Sequence, residues 1–225
     1  MELIKLSGHI WYMPFEEERD RPNLCYVKGE KMSLAVDAGH SEEHIRVFYD
    51  LLEKEGLPLP SLTVITHWHW DHTFAMHAVN GLTLAGKRTN EHLLECMKKI
   101  EEKGPDAFLH IYESIRKEYD GGKEMIVVPA DIVFEGDMTI DLGGCTVRVL
   151  QTEAPHTDDS TLVYVCEDQT LFIGDASCSQ FPNGPKDPKL AQALADKIRS
   201  TGAVTCVEGH WQPVETEDTL ADLLS

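Results

Sequence analysis

The chain has 225 residues, 42% hydrophobic and 26% charged, with 39 acidic against 20 basic side chains and a formal charge of −19 at pH 7. That length suits one domain, residues 1–225, with a sizeable core, and no apolar run reaches the roughly 20 residues needed to span a bilayer. An acidic surface without a Lys/Arg cluster repels polyanions, so neither nucleic acid nor a membrane is an expected partner.

In chain order, Met1–Tyr12 lacks a basic stretch followed by an apolar core, which makes a cytoplasmic protein the expectation. Six cysteines are dispersed without a CxxC pair and read as buried thiols rather than a disulfide framework. Strand patterns at Ile10–Met13, Asn23–Val27 and Ser33–Asp37, separated by a Lys28–Lys31 turn, predict antiparallel sheet. Ser41 before Glu42 and Glu43 marks a helix start, with apolar residues at Ile45, Phe48, Leu51 and Leu52 and a stop at Gly56. A short apolar strand follows at Leu62–Ile65. Between about 89 and 121 the pattern predicts an insertion of two helices, Asn90–Lys103 and Pro105–Tyr119, which would serve as a lid, a wall beside a site, or the surface of a homodimer. Strands return at Ile132–Phe134, Met138–Ile140, Thr146–Leu150, Thr161–Val165, Leu171–Ile173 and Val204–Val207, with helices at Pro188–Ser200 and Glu217–Leu224.

The chemistry is concentrated in Thr66-His67-Trp68-His69-Trp70-Asp71-His72, directly after the Leu62–Ile65 strand. In extended backbone, alternate side chains leave on the same side, so His67, His69 and Asp71 are expected to face one point, with His72 directed elsewhere unless the chain turns into a helix there. Imidazole and carboxylate suit Zn²⁺ and related divalent ions, and no cysteine lies within the run to close a structural site. Placing so many polar groups at the end of a buried strand without partners would cost about 1–3 kcal/mol each, which favours a metal site over decoration.

Three later strands also end on donors: Leu150 leads to His156, Ile173 to Gly174-Asp175, and Val207 to Glu208-Gly209-His210. Loops leaving one edge of a sheet can bring such residues together. The order HxHxDH, then a His before Thr, then Gly-Asp, then Gly-His resembles the metallo-β-lactamase superfamily, over a span from Val36-Asp37-Ala38-Gly39 to His210-Trp211. The resemblance implies an α+β fold, a four-layer αββα sandwich with metals at one edge. It also implies that His67, His69 and His156 hold one ion and Asp71, His72 and His210 a second, with Asp175 bridging. Asp37 resembles the family position that supports a histidine ligand. Pro155, where relatives usually have Gly, and His72-Thr73-Phe74, where thioesterase-like members have small residues, depart from the pattern.

The implied activity is that of a dinuclear metal-dependent hydrolase, with two Zn²⁺ per chain (iron or manganese as alternatives) and a metal-bridging hydroxide attacking a small-molecule substrate. Asp71 or Asp175 would act as the catalytic proton relay. Two Zn²⁺ set against two aspartates and a hydroxide leave a formal charge of about +1, which would favour an anionic substrate. Asp175 argues against the antibiotic-cleaving branch and the acidity against nuclease branches, leaving esters, lactones or thioesters. The alternative is a mononuclear Fe(II) dioxygenase of the same superfamily, of the persulfide type. A third reading is a non-catalytic metal-binding member. Trp68, Trp70, Phe181 and Trp211 flank the ligand segments as a candidate apolar wall, and Lys87 and Arg88 are a candidate anion contact.

Overall fold

The computed structural model describes all 225 residues. Seven strands in chain order form the first sheet: β1 (Ile4–Lys5), β2 (Ile10–Met13), β3 (Leu24–Lys28), β4 (Ser33–Val36), β5 (Leu62–Val64), β6 (Leu82–Gly86) and β7 (Ile132–Phe134). The β1–β4 pairings are antiparallel and the β4–β7 pairings parallel. The second sheet contains β8 (Met138–Asp141), β9 (Thr146–Gln151), β10 (Thr161–Val165), β11 (Thr170–Gly174), β12 (Thr205–Glu208) and β13 (Val214–Glu215), in the order 13-12-11-10-9-8. Only β11 and β12 are parallel there.

Strand periodicity explains the layering. On β3, Cys25 and Val27 face the second sheet, meeting a core that includes Val147, Val149, Val163, Val165 and Phe172, while Leu24 and Tyr26 face helices on the outside. On β10, Val163 and Val165 point inward, and Leu162 and Tyr164 pack outward against a third core. Both sheets are therefore apolar on two faces, and each needs a helical cover.

The first cover is α1 (Glu42–Lys54), followed beyond α2 (Trp70–Thr73) by α3 (Lys87–Lys103), α4 (Asp106–Leu109) and α5 (Glu113–Glu118); the second is α6 (Pro188–Thr201) and α7 (Thr216–Leu223). Ser41 caps α1 by accepting from the His44 amide, a contact worth about 1 kcal/mol. Ile45, Phe48 and Leu52 on the buried face of α1 contribute roughly 1.5–3 kcal/mol each. The result is the four-layer αββα sandwich.

Several elements differ from the sequence expectation. Residues 87–118 hold three helices, not two, because the chain breaks at Gly104-Pro105 and again between His110 and Tyr112. The strands β1, β6 and β13 are additional to the expected ones, and β1 and β13, at two residues each, are too short to show a pattern. All six cysteines are free thiols, four of them buried.

Candidate functional site

Strand direction determines where the donors go. β4 and β5 run parallel, so Asp37 and Thr66–His72 leave the same edge of the first sheet. β9 is antiparallel to β10, and β10 to β11, so β9 and β11 share a direction, and β12 runs parallel to β11. The segments carrying His156, Asp175 and His210 therefore emerge at one edge of the second sheet. Thr161 N–H donates to the Thr66 carbonyl at 2.7 Å, joining the two rims.

His67 and His69 leave an extended segment, but the backbone turns at Trp70 into α2. Asp71 is therefore not the third member of an alternating row: it lies on a helical turn with His72. That turn divides the motif into two donor groups, His67/His69/His156 and Asp71/His72/Asp175/His210, each with its donor atoms within 4.8 Å of one another. His69 Nδ1 lies 3.1 Å from His67 Nε2 and 3.0 Å from His156 Nε2. Asp71 Oδ2 lies 2.9 Å from His210 Nε2 and 3.1 Å from His72 Nε2. Asp175 Oδ2 faces both groups, 4.0 and 3.8 Å from Nε2 of His67 and His156, and 3.6 Å from Nε2 of His72 and of His210. All seven sequence-predicted side chains are thus together.

The donor set fits divalent cations. Nitrogens bound tetrahedrally at about 2.1 Å would be roughly 3.4 Å apart, a few tenths of an ångström wider than the triad's spacing. Three of the histidines have their other ring nitrogen engaged: His72 Nδ1 with Asp37 at 2.8 Å, His156 Nδ1 with the Ser179 carbonyl at 2.8 Å and His67 Nδ1 with Thr66 Oγ1 at 3.2 Å. Such contacts fix ring orientation in metal sites. His72 Nε2 and Asp175 Oδ1 are buried without hydrogen-bond partners.

Electrostatics point the same way. Burial, reinforced by neighbouring imidazoles, holds His67 far below the usual histidine range and His69 at about 3, leaving their lone pairs free. Burial opposes charge on His72 and His210 too, yet it is outweighed: Asp71, Asp37 and Asp175 push His72 well up, and Asp175 and Asp71 raise His210 to about 9. Burial would raise Asp71 and Asp175, but the facing histidines hold both below the ordinary carboxylate range. The two ionised aspartates create a demand for positive charge that divalent cations meet.

Supporting residues that composition and spacing did not reveal are local and steric. The Asp37 carboxylate accepts from the Thr66 amide at 2.8 Å and from Thr66 Oγ1, besides holding His72. Asp37 thus holds the His72 ring in addition to any turn role. Buried Asn23 donates to the Glu208 and Trp211 carbonyls, both at 2.7 Å, and fixes the loop that presents His210. Gly209 packs against the Asp175 carboxylate, and a Cβ there would fall inside contact distance of Asp175 Oδ1. Gly209→Ala is expected to displace that carboxylate and cost about 1–3 kcal/mol, measurable by denaturant unfolding. An unchanged midpoint would show that the loop relaxes freely.

The cluster opens into a cleft of about 570 Å³. Trp70, Tyr112 and Phe181 form one wall, with Trp70 5.8 Å from Tyr112 and 5.4 Å from Phe181 between ring centroids. Trp211 also lines the cleft, whereas Trp68 packs on His92 at 5.6 Å and does not. Glu17 and Asp20 line the cleft too, and burial followed by Asp71 raises Asp20 to about 6. Lys87 and Arg88 lie outside it, paired with Glu135 and with Asp158 and Glu91. His40 and His44 are buried in the neighbouring core and His9 pairs with Asp168.

Comparison with known proteins agrees with this geometry. The family model described as the metallo-beta-lactamase superfamily matches residues 20–210. The acyl-coenzyme A thioesterase MBLAC2 of Gallus gallus is 27% identical over 185 residues, which is 75% of this chain and 62% of that protein, so the chain spans less than two thirds of that relative's length. Among solved structures, a metallo-beta-lactamase from Pontibacter korlensis superposes with a TM-score of 0.69 at 18% identity, covering 99% of this chain and 96% of the other. One from Hirschia baltica gives 0.69 at 16% identity, covering 99% and 95%. With the family pattern spanning residues 20–210 and the sandwich matched from end to end, the chain belongs to the metallo-β-lactamase superfamily.

Proposed function

We propose that this protein is a dinuclear metal-dependent hydrolase acting on a small-molecule ester, lactone or thioester. The observation that carries the reading is the position of Asp175 Oδ2, within 3.6–4.0 Å of histidine nitrogens from both donor groups. In this reading His67, His69 and His156 would hold one ion and Asp71, His72 and His210 the other, with Asp175 available to both. Neutral imidazoles and carboxylates favour Zn²⁺, with iron or manganese accommodated by the same donors. The thioesterase name of the Gallus gallus relative supports a carbonyl substrate.

When bound, such an ion pair supplies Lewis acidity toward a carbonyl oxygen and lowers the pKa of water from about 15.7 toward 7. The chain's own residues do the rest. Asp37, Thr66 and the Ser179 carbonyl hold the rings of His72, His67 and His156 in orientation, so little rearrangement is needed during reaction. The aromatic wall seats the substrate beside His69 and shields that side of it from bulk solvent. Water adds its oxygen to the acyl carbon as the bond from that carbon to the leaving oxygen or sulfur breaks. The displaced proton would pass through the Asp71 or Asp175 carboxylate to the leaving group, giving a carboxylic acid and an alcohol or thiol. The whole chain acts as one unit, with residues 89–121 supplying part of the wall.

Metal analysis of protein expressed with zinc, manganese or iron, combined with an ester, lactone and thioester panel, tests this. Two divalent ions per chain with turnover are expected. A single iron with oxygen consumption would favour the dioxygenase reading, and full occupancy without turnover across the panel would remove the catalytic one.

A further inference from the structure

Outside the main cluster, one buried carboxylate lacks any hydrogen-bond partner. Asp159, in the loop between β9 and β10, is 4% exposed, and both of its side-chain oxygens are buried without a hydrogen bond. The hydroxyls beside it are committed elsewhere: Thr89 Oγ1 donates to the Asp159 carbonyl at 3.2 Å, and Thr157 Oγ1 lies 3.4 Å from Ser160 Oγ. An ionised carboxylate left this way costs several kcal/mol unless a cation or a proton joins it.

The surrounding residues supply the rest of a cation site. Arg88, Glu91, His92 and Glu95 share one face of α3 by helical spacing, and that face meets the β9–β10 loop. His92 Nε2 lies 2.8 Å from Asp158 Oδ1, and one donor atom each from His92, Asp158 and Asp159 lies within 4.8 Å of the other two. The second ring nitrogen, His92 Nδ1, has Glu95 Oε2 at 4.0 Å to orient it. Arg88 is the cation at this spot, but its guanidinium is divided between Asp158 at 2.8 Å and Glu91 at 3.2 Å. Three carboxylates against one guanidinium leave the spot negative. A cavity of about 220 Å³, lined by Arg88, Asp158 and Asp159, gives an ion its entry path. One imidazole and two carboxylates form a donor set for Zn²⁺ with water in the fourth position.

We propose that His92, Asp158 and Asp159 form an auxiliary zinc site that clamps α3 to the loop carrying His156. Three donors partly open to solvent hold an ion less tightly than the main cluster does, so this site fills after that cluster is loaded and adds to the ions counted there. The consequence is positional. Asp158 and Asp159 follow closely after His156, and Trp68 packs against both His92 and His69, with ring centroids 5.6 and 4.6 Å apart. An ion on His92 therefore braces the loop and the indole against the triad. Neither the ion's binding nor this clamp depends on which bond the main centre cleaves.

The test starts from protein saturated with zinc at the main cluster, desalted and then titrated with ZnCl₂ by calorimetry. One further equivalent per chain is expected, and it should be lost in Asp159→Asn and in His92→Gln. Asp159→Asn separates a cation from a proton, because an amide mimics a carboxyl already neutralised by a proton and the ion count would then stay the same. In crystals of the parent soaked with zinc, an anomalous peak is expected about 2.0–2.2 Å from His92 Nε2 and from an Asp159 oxygen. Added zinc should also slow hydrogen exchange in residues 157–160 and the first turns of α3 in the parent but not in Asp159→Asn. Absence of the further equivalent, its survival in both variants, or a peak located elsewhere would overturn the site.

Discussion

His67→Ala and His156→Ala are each expected to remove metal and hydrolysis together, because each deletes one of the two nitrogens that lie 3.0–3.1 Å from His69 Nδ1 and leaves the triad short of a closed coordination set. Metal content by mass spectrometry and turnover on the same samples check this. Asp175→Ala is expected to reduce occupancy to about one ion per chain, since its Oδ2 is the atom facing both donor groups. Retention of two ions by that variant would sink the bridging role. Asp37→Asn provides the graded comparison. It keeps the shape of the side chain but loses the carboxylate that accepts from His72 Nδ1 and from Thr66, and is expected to weaken metal affinity about 10–100-fold without unfolding the protein.

Arg21→Met destabilises the fold by about 3–5 kcal/mol, the usual consequence of leaving a buried charge without its partner. Arg21 is 5% exposed and Glu118 is fully buried. The guanidinium donates from Nε and NH2 to both Glu118 oxygens at 2.9–3.0 Å, and Ser41 Oγ also donates to Glu118. Tyr119 Oη donates to the His40 carbonyl at 2.6 Å, and Arg19 NH1 to the Lys117 carbonyl at 3.0 Å. These contacts tie α5 to the turn after β4, the turn that carries Asp37, and so fix Tyr112 and Ser114 at the mouth of the cleft. Replacing the pair together, Arg21→Met with Glu118→Leu, should recover most of the loss, because the double variant leaves neither charge stranded. Denaturant unfolding of the two variants reads both outcomes. A single variant within about 1 kcal/mol of the parent would show that the pair does not anchor this segment.

The sequence by itself placed seven candidate donors at strand ends, and its resemblance to the superfamily implied the layer architecture. Seven donors placed at strand ends can be recognised in one dimension because ligand types and strand periodicity are local properties, and all seven come together in space. Alternation along β3 and β10 likewise encodes a strand covered on both faces. Only the tertiary structure decided how the donors divide. The turn at Trp70 moves Asp71 from the row of His67 and His69 to the group of His72, and a helix starting inside a run of aromatic and imidazole residues has no cap or periodicity to announce it. Asn23, Thr66 and Gly209 matter through contacts with residues far along the chain, and Glu17, Asp20 and Tyr112 meet the site only because strand order and the Arg21–Glu118 pair carry their loops there. Ligand chemistry is written in residue type and spacing, whereas support and selectivity arise from surfaces that exist only once separate segments pack.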